Sequence, residues 1–124
     1  MTRTAREVVE LYNLVVWNER NFELVEELFA DTVIRHDVEE VKMLTHDQAV
    51  QRVKDSWAMF ETLRFDLNLV VAGDDGEHVA IVYQMTGTTP DGHDMPIGSI
   101  EVFHVVDGRI TEVYNCGYKQ GFWK

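Results

Sequence analysis

The sequence contains one cysteine, Cys116, and only two prolines, and its 11 Lys and Arg are outnumbered by 22 Asp and Glu. A single thiol excludes an intrachain disulfide and any site built from several thiolates, so stability has to come from packing. The formal charge of -11 would repel a phosphate backbone and an anionic lipid surface, which argues against nucleic acid and membrane as partners. The surplus carboxylates serve solubility. No apolar run approaches the roughly 18 residues needed to cross a bilayer. The first residues lack the apolar core of a secretory signal, so a cytoplasmic protein is expected. No internal repeat, linker or low-complexity segment divides the chain.

What is present is 124 residues, 45% hydrophobic and 10% aromatic, the size and content of a single domain, 1–124, with its own core. Thr4 with Glu7 forms a capping-box pattern, and Val8, Val9, Leu11, Tyr12, Val15 and Val16 then fall on one stripe of a helix of about four turns. Asn21 caps a second, short helix with Phe22, Val25, Leu28 and Phe29 as its core face. Thr32 to Arg35 reads as a short isolated strand leading into a polar loop through Glu39 and Glu40. Thr45 with Gln48 opens a third helix carrying Ala49, Val50, Val53, Trp57 and Phe60 at helical spacing.

Beyond Phe65 the period changes to two. Phe65, Leu67, Leu69 and Val71 alternate with polar residues, and Asp74 to Gly76 supply a turn. His78 to Gly87 follows as a second strand, Thr89 to Pro96 as a polar loop, and Ile97 to Val106 as a third strand. Asp107 and Gly108 suit a type I′ turn, which needs positive φ at both central residues, and Arg109 to Tyr118 returns as the fourth strand. This order predicts an α+β fold: a cone-shaped barrel in which a curved, mostly antiparallel sheet wraps around three N-terminal helices and leaves a cavity.

With that order, the string LFADTVIRHD and the hairpin SIEVFHVVDGRITEVYN, nearly the whole chain resembles the SnoaL-like branch of the nuclear-transport-factor-like superfamily. That group includes polyketide cyclases, ketosteroid isomerases, limonene epoxide hydrolase, scytalone dehydratase and domains that only bind or associate, so its motifs mark the fold better than the reaction. The resemblance implies a pocket for a small molecule between the concave sheet face and the helices, and a homodimer formed through the convex face. If Glu101 points inward, alternation sends Ser99 and Phe103 inward and Ile100, Val102 and His104 out, with His104 a satisfied polar group.

The resemblance also implies site residues. Asp37 falls where ketosteroid isomerases carry the aspartate that takes a proton next to a carbonyl, and Glu101 where their second acid sits; this enzyme is a worked case of one carboxylate as base and a second, kept neutral, as donor. Glu101 interrupts an apolar run, as a carboxyl in a greasy pocket would. Asn13, with Tyr12 beside it, stands in the place of the isomerases' helix tyrosine. Asn115 replaces the last-strand carboxylate of the cyclases and the epoxide hydrolase, and an amide cannot act as that base. Gln84 and Thr86 stand where the epoxide hydrolase has its arginine and aspartate, so that reaction finds least support.

His36 and Asp37 are adjacent on a strand, so only one of them enters the cavity. Trp57 and Phe60, with Phe122 and Trp123, are expected to wall the mouth and, with Phe103, to favour planar ligands. Cys116 is expected to face away from the pocket as a buried, inert thiol. The three His-Asp dipeptides lack the spacing of a metal site, so no metal is expected and no cofactor is required. Two functions remain open. One is proton abstraction next to a carbonyl, as in an isomerase or aldol-type cyclase, with Asp37 as base, Glu101 as neutral donor or second acid, and Asn13 and Asn115 orienting the substrate. The other is a binding domain for a hydrophobic small molecule.

Overall fold

The computed structural model describes residues 2–124. Helix α1 starts where Thr4 and Glu7 cap each other reciprocally. It runs as an α-helix over Ala5–Glu10, widens to a π-helix over Leu11–Val16 and closes with an α-turn, Trp17–Glu19. The wider turn puts two adjacent residues, Tyr12 and Asn13, on the buried face. Left-handed Arg20 (φ 53°) ends the helix. The Asn21 side chain accepts from the Leu24 N–H to start α2, Phe22–Leu28. The Thr45 and Gln48 capping box starts α3, His46–Ala58.

The seven strands are β1, Phe29–Asp37; β2, Glu40–Thr45; β3, Thr62–Ala72; β4, His78–Thr88; β5, Asp94–Val106; β6, Arg109–Asn115; and β7, Lys119–Gln120. They form one sheet in the order β2-β1-β6-β5-β4-β3, with β7 paired to β5. All pairings are antiparallel except β1 with β6. The sheet curves around the three helices as expected, but it is an open cone with β2 and β3 as edges. Its concave face packs Val79, Ile81, Phe103, Ile110 and Val113 against Val8, Val9 and Val16 of α1, all fully buried.

Several elements differ from the reading of the sequence. The strand read as Thr32 to Arg35 extends over nine residues, and the polar stretch after it is the hairpin partner β2. That hairpin turns through Glu39 at φ 73°, a conformation that a glycine would have advertised. The loop before β5 is shorter than Thr89 to Pro96, because Asp94, Met95 and Pro96 pair with β4. Strand β6 stops at Asn115, short of Tyr118. The Asp107 and Gly108 turn is as expected, with φ of 52° and 75°.

Candidate active site on the concave face

Alternation and register place the polar residues of the concave face. On β1, Val33 is buried in the core and the Arg35 side chain is 12% exposed, so the odd-numbered residues point inward and Asp37 follows them. On β5 the inward set is Ser99, Glu101 and Phe103; on β4 it is Val79, Ile81, Tyr83 and Met85. Val113 is buried on β6, which turns Asn115 inward. Asp37 is the Cα partner of Asn115, and Asn115 that of Glu101. Asp37, Asn115 and Glu101 therefore form one lateral row, the two carboxyls about 10 Å apart by the usual strand spacing with the amide between them. Asp37 and Asn115 are half-buried at the rim, and Glu101 is buried.

Two residues missing from the sequence reading, Arg35 and Tyr83, stand near Glu101. The Arg35 guanidinium reaches across β6 to within 3.9 Å of its carboxylate. Tyr83, on the neighbouring strand, has Ser99, Glu101 and Asn115 around its hydroxyl. Burial first, and the Glu101 charge second, push the Tyr83 phenol well above the ordinary tyrosine range, so it stays protonated. Ser99 donates its own hydrogen to the Gly117 carbonyl. The Tyr12 phenol is also pushed up, by burial foremost, with the Arg52 and Arg35 charges opposing and that of Glu101 adding.

The parity that turns Asp37 inward turns Arg35 inward as well, which was a usable signal. Tyr83 continues the apolar alternation of Val79 and Ile81 and reads as core. The concave face is filled around these groups: the Tyr12 ring lies 5.4 Å from Phe29, 5.8 Å from Phe103 and 6.2 Å from Trp17. Phe65 bridges Trp17 and Tyr83. Grooves of about 530 Å³ along the C-terminal tail and about 340 Å³ over the outer sheet face lie outside the cone.

The remaining expected residues divide. Tyr12 and Phe103 lie among the concave-face side chains. Asn13 is buried but gives an amide hydrogen to the Val9 carbonyl of its own helix at 2.8 Å. Trp57 is buried, its indole N–H donating to the Trp17 carbonyl at 2.8 Å, and Phe60 packs where Gly87 leaves no room for a Cβ. His36 is a correction: alternation turns it to the convex face, where its ring stacks on Tyr114 at 4.2 Å and bonds Glu112. Trp123 is another, since its indole covers the outer side of Gly98 instead of the mouth. Cys116 does face outward, but it is exposed and not buried. The convex face at this point has no cover.

His104 faces outward as expected, bonded through both ring nitrogens to Glu77 and Glu112. Among the described residues no group of three or more His, Cys, Asp or Glu could hold a metal ion, and no helix is long and apolar enough to cross a membrane.

The family model described as SnoaL-like domain matches residues 8–113. Among curated proteins none matches the chain. Solved structures do. A candidate polyketide cyclase from Acidithiobacillus ferrooxidans is 22% identical over 93% of this chain and 88% of its own, with a TM-score of 0.78. SalBIII, described as an epoxide hydrolase/cyclase-like enzyme with a role in pyran ring formation in the polyether salinomycin, is 18% identical over 93% of this chain and 90% of its own, TM-score 0.77. An epoxide hydrolase of M. tuberculosis, of the LEH-like kind, is 17% identical over 95% and 84%, TM-score 0.77. At these identities the likeness establishes the fold.

Proposed function

Given that the chain belongs to the SnoaL-like family of the nuclear-transport-factor-like superfamily, we propose that it moves a proton next to a carbonyl group of a small apolar molecule, as an isomerase or aldol-type cyclase does. The observation that carries this reading is the buried carboxylate of Glu101 on the concave face, in one row with Asp37. A general base has to lie within hydrogen-bond reach of the proton that it takes, and both carboxyls of this row face the same side of the sheet. The pairing with Arg35 favours Glu101 as the group that takes the proton. Asp37, half-buried at the rim, is then the second carboxyl, placed to exchange protons with substrate or solvent. The substrate meets the site at that rim, where Asp37 and Asn115 are half-buried, and no cofactor is required.

The same reading includes a cytoplasmic homodimer formed through the convex face, where Ile100 and Tyr114 stand exposed. A sedimentation mass of one chain, 14.4 kDa, contradicts that part.

The test is substitution without loss of size. In Glu101→Gln and Asp37→Asn the turnover of an activated cyclic enone falls about 100-fold or more while the enone still binds. A second reading, a binding domain without chemistry, is favoured by one observation: the Asn115 side-chain oxygen is already engaged by the Gly117 N–H. If parent and both variants bind the enone equally and turn it over equally, the enzyme reading fails and the binding domain stands.

A further inference from the structure

The outward-facing side chains of the sheet stand in lateral rows fixed by strand register. One row is polar: Glu112 of β6, His104 of β5 and His78 of β4 are Cα partners in turn. The next row runs from Val41 of β2 through His36, Tyr114, Val102 and Ala80 to Val71 of β3, crossing six strands. A third holds Ile100, Val82 and Leu69. The chain is 27% charged, yet the second and third rows contain no Asp, Glu, Lys or Arg. In them Val41, Val71, Leu69, Ile100 and Tyr114 are exposed. A cationic protein would be drawn to the acidic surface elsewhere, and an anionic lipid surface is repelled by the whole molecule. A second copy of this chain fits, because a two-fold contact sets each apolar field against its like.

The polar row borders that field and depends on one proton. His104 is bonded through Nδ1 to Glu112 at 3.0 Å and through Nε2 to Glu77 at 2.7 Å. Ionised carboxylates only accept, so both ring nitrogens have to donate, which the imidazolium does and the neutral ring does not. Once the ring loses its proton, one carboxylate faces a bare nitrogen lone pair. Glu112 still holds the His36 ring at 2.7 Å, whereas the Glu77 side chain is 49% exposed and has only water to turn to. The remaining titratable groups on the row are His78, stacked on His104 at 4.3 Å and paired with Asp75, and Tyr114, stacked on His36.

We propose that the homodimer is gated by a proton at His104: two copies meet through their convex faces while the ring is an imidazolium between Glu77 and Glu112, and separate when it becomes neutral. This rests on the homodimer in the reading above and not on the proton transfer. A second copy strips water from the border of the apolar field. With the ring charged, Glu77 and Glu112 keep both hydrogen bonds and share its charge, so the loss of water costs little. With the ring neutral, an unpaired carboxylate in each copy has to stay hydrated, and two acidic molecules repel. The same two hydrogen bonds favour the charged ring and raise its pKa, so separation comes above the ordinary histidine titration.

The test is the dimer dissociation constant from sedimentation equilibrium at about pH 6 and about pH 9, on either side of the histidine range, with a reductant present because Cys116 is exposed. In the parent the constant rises about ten-fold or more at the higher pH. In His104→Gln, which removes the imidazolium, the dimer is already weak at the lower pH. In Glu77→Gln the carboxylate that would be stranded is absent, and the constant changes little between the two. A parent dimer with equal constants at both pH values overturns the gate and leaves the homodimer standing. A pH dependence that Glu77→Gln leaves intact overturns the gate as well, as does a His104→Gln dimer as tight as the parent's at the lower pH. A parent mass of one chain at both pH values removes the homodimer and the gate together.

Discussion

Arg35 and Tyr83 show what one residue type conceals in a sequence. Glu101 was legible because a carboxyl in the middle of an apolar strand is out of place. A tyrosine in the same setting is ordinary, since its ring belongs in a core and only its hydroxyl differs. Arg35 stands just before two residues that drew more notice, His36 and Asp37, and its inward direction followed from the same alternation. Cys116 and Trp123 failed for a different reason. Alternation tells which face a side chain takes and says nothing about what covers that face. Trp57 illustrates the reverse, a residue read as an aromatic wall that also holds two elements together, because its indole donates to the Trp17 carbonyl of α1. Replacing Trp57 by Phe keeps most of the ring and leaves that carbonyl without its partner. We expect Trp57→Phe to lose about 1 to 3 kcal/mol of stability, read as a lower midpoint in urea at unchanged slope; an unchanged midpoint would show that the bond is dispensable.

At the scale of elements, the three helix starts were legible because capping is local chemistry: Thr4, Asn21 and Thr45 each accept from a backbone N–H three residues on. Strand β2 was not. It is an edge strand, largely exposed, with a mixed apolar and charged sequence, and its pairing depends on contacts with β1 that no local pattern records. Across the convex face a chain of side chains ties four elements: His36 of β1 to Glu112 of β6, Glu112 to His104 of β5, and His104 to Glu77 beside β4. The hydrogen bonds that His104 donates to Glu77 and Glu112 raise its pKa, and those that Glu112 accepts from His36 and His104 lower that of Glu112. A raised histidine stabilises fully below its ordinary value of about 6.5 and loses its contribution as pH rises through the raised one. A lowered carboxylate stabilises above its ordinary value, given as 4.5, and loses its contribution as pH falls through the lowered one. Asp75, bonded to His78 and the turn backbone, is also lowered and adds to the acid limb. The urea midpoint should therefore be highest between about pH 4.5 and 6.5. In His104→Gln the decline above this range should shrink, and an alkaline limb as steep as the parent's would assign it to other groups.

For the whole molecule, order of elements and polarity pattern sufficed for the α+β cone, since a sheet with one apolar face has few ways to bury it against three preceding helices. The parallel pairing of β1 with β6 lay beyond the pattern, yet it is what builds the site. It sets Asp37 beside Asn115, and the β5–β6 hairpin sets Asn115 beside Glu101. Residues 37, 101 and 115 thus reach one row through the parallel pairing, which spacing does not give, and through a hairpin whose turn is legible but whose register shifts between His104 and Val105. The central claim is that this row makes a carbon-bound proton mobile. The direct measurement is deuterium uptake from heavy water at the carbon next to the carbonyl of 2-tetralone, a small planar ketone, followed by NMR with parent, Glu101→Gln and Asp37→Asn. The account predicts uptake faster than the buffer rate with the parent and close to the buffer rate with Glu101→Gln; equal acceleration by parent and Glu101→Gln, or none by the parent, would contradict it.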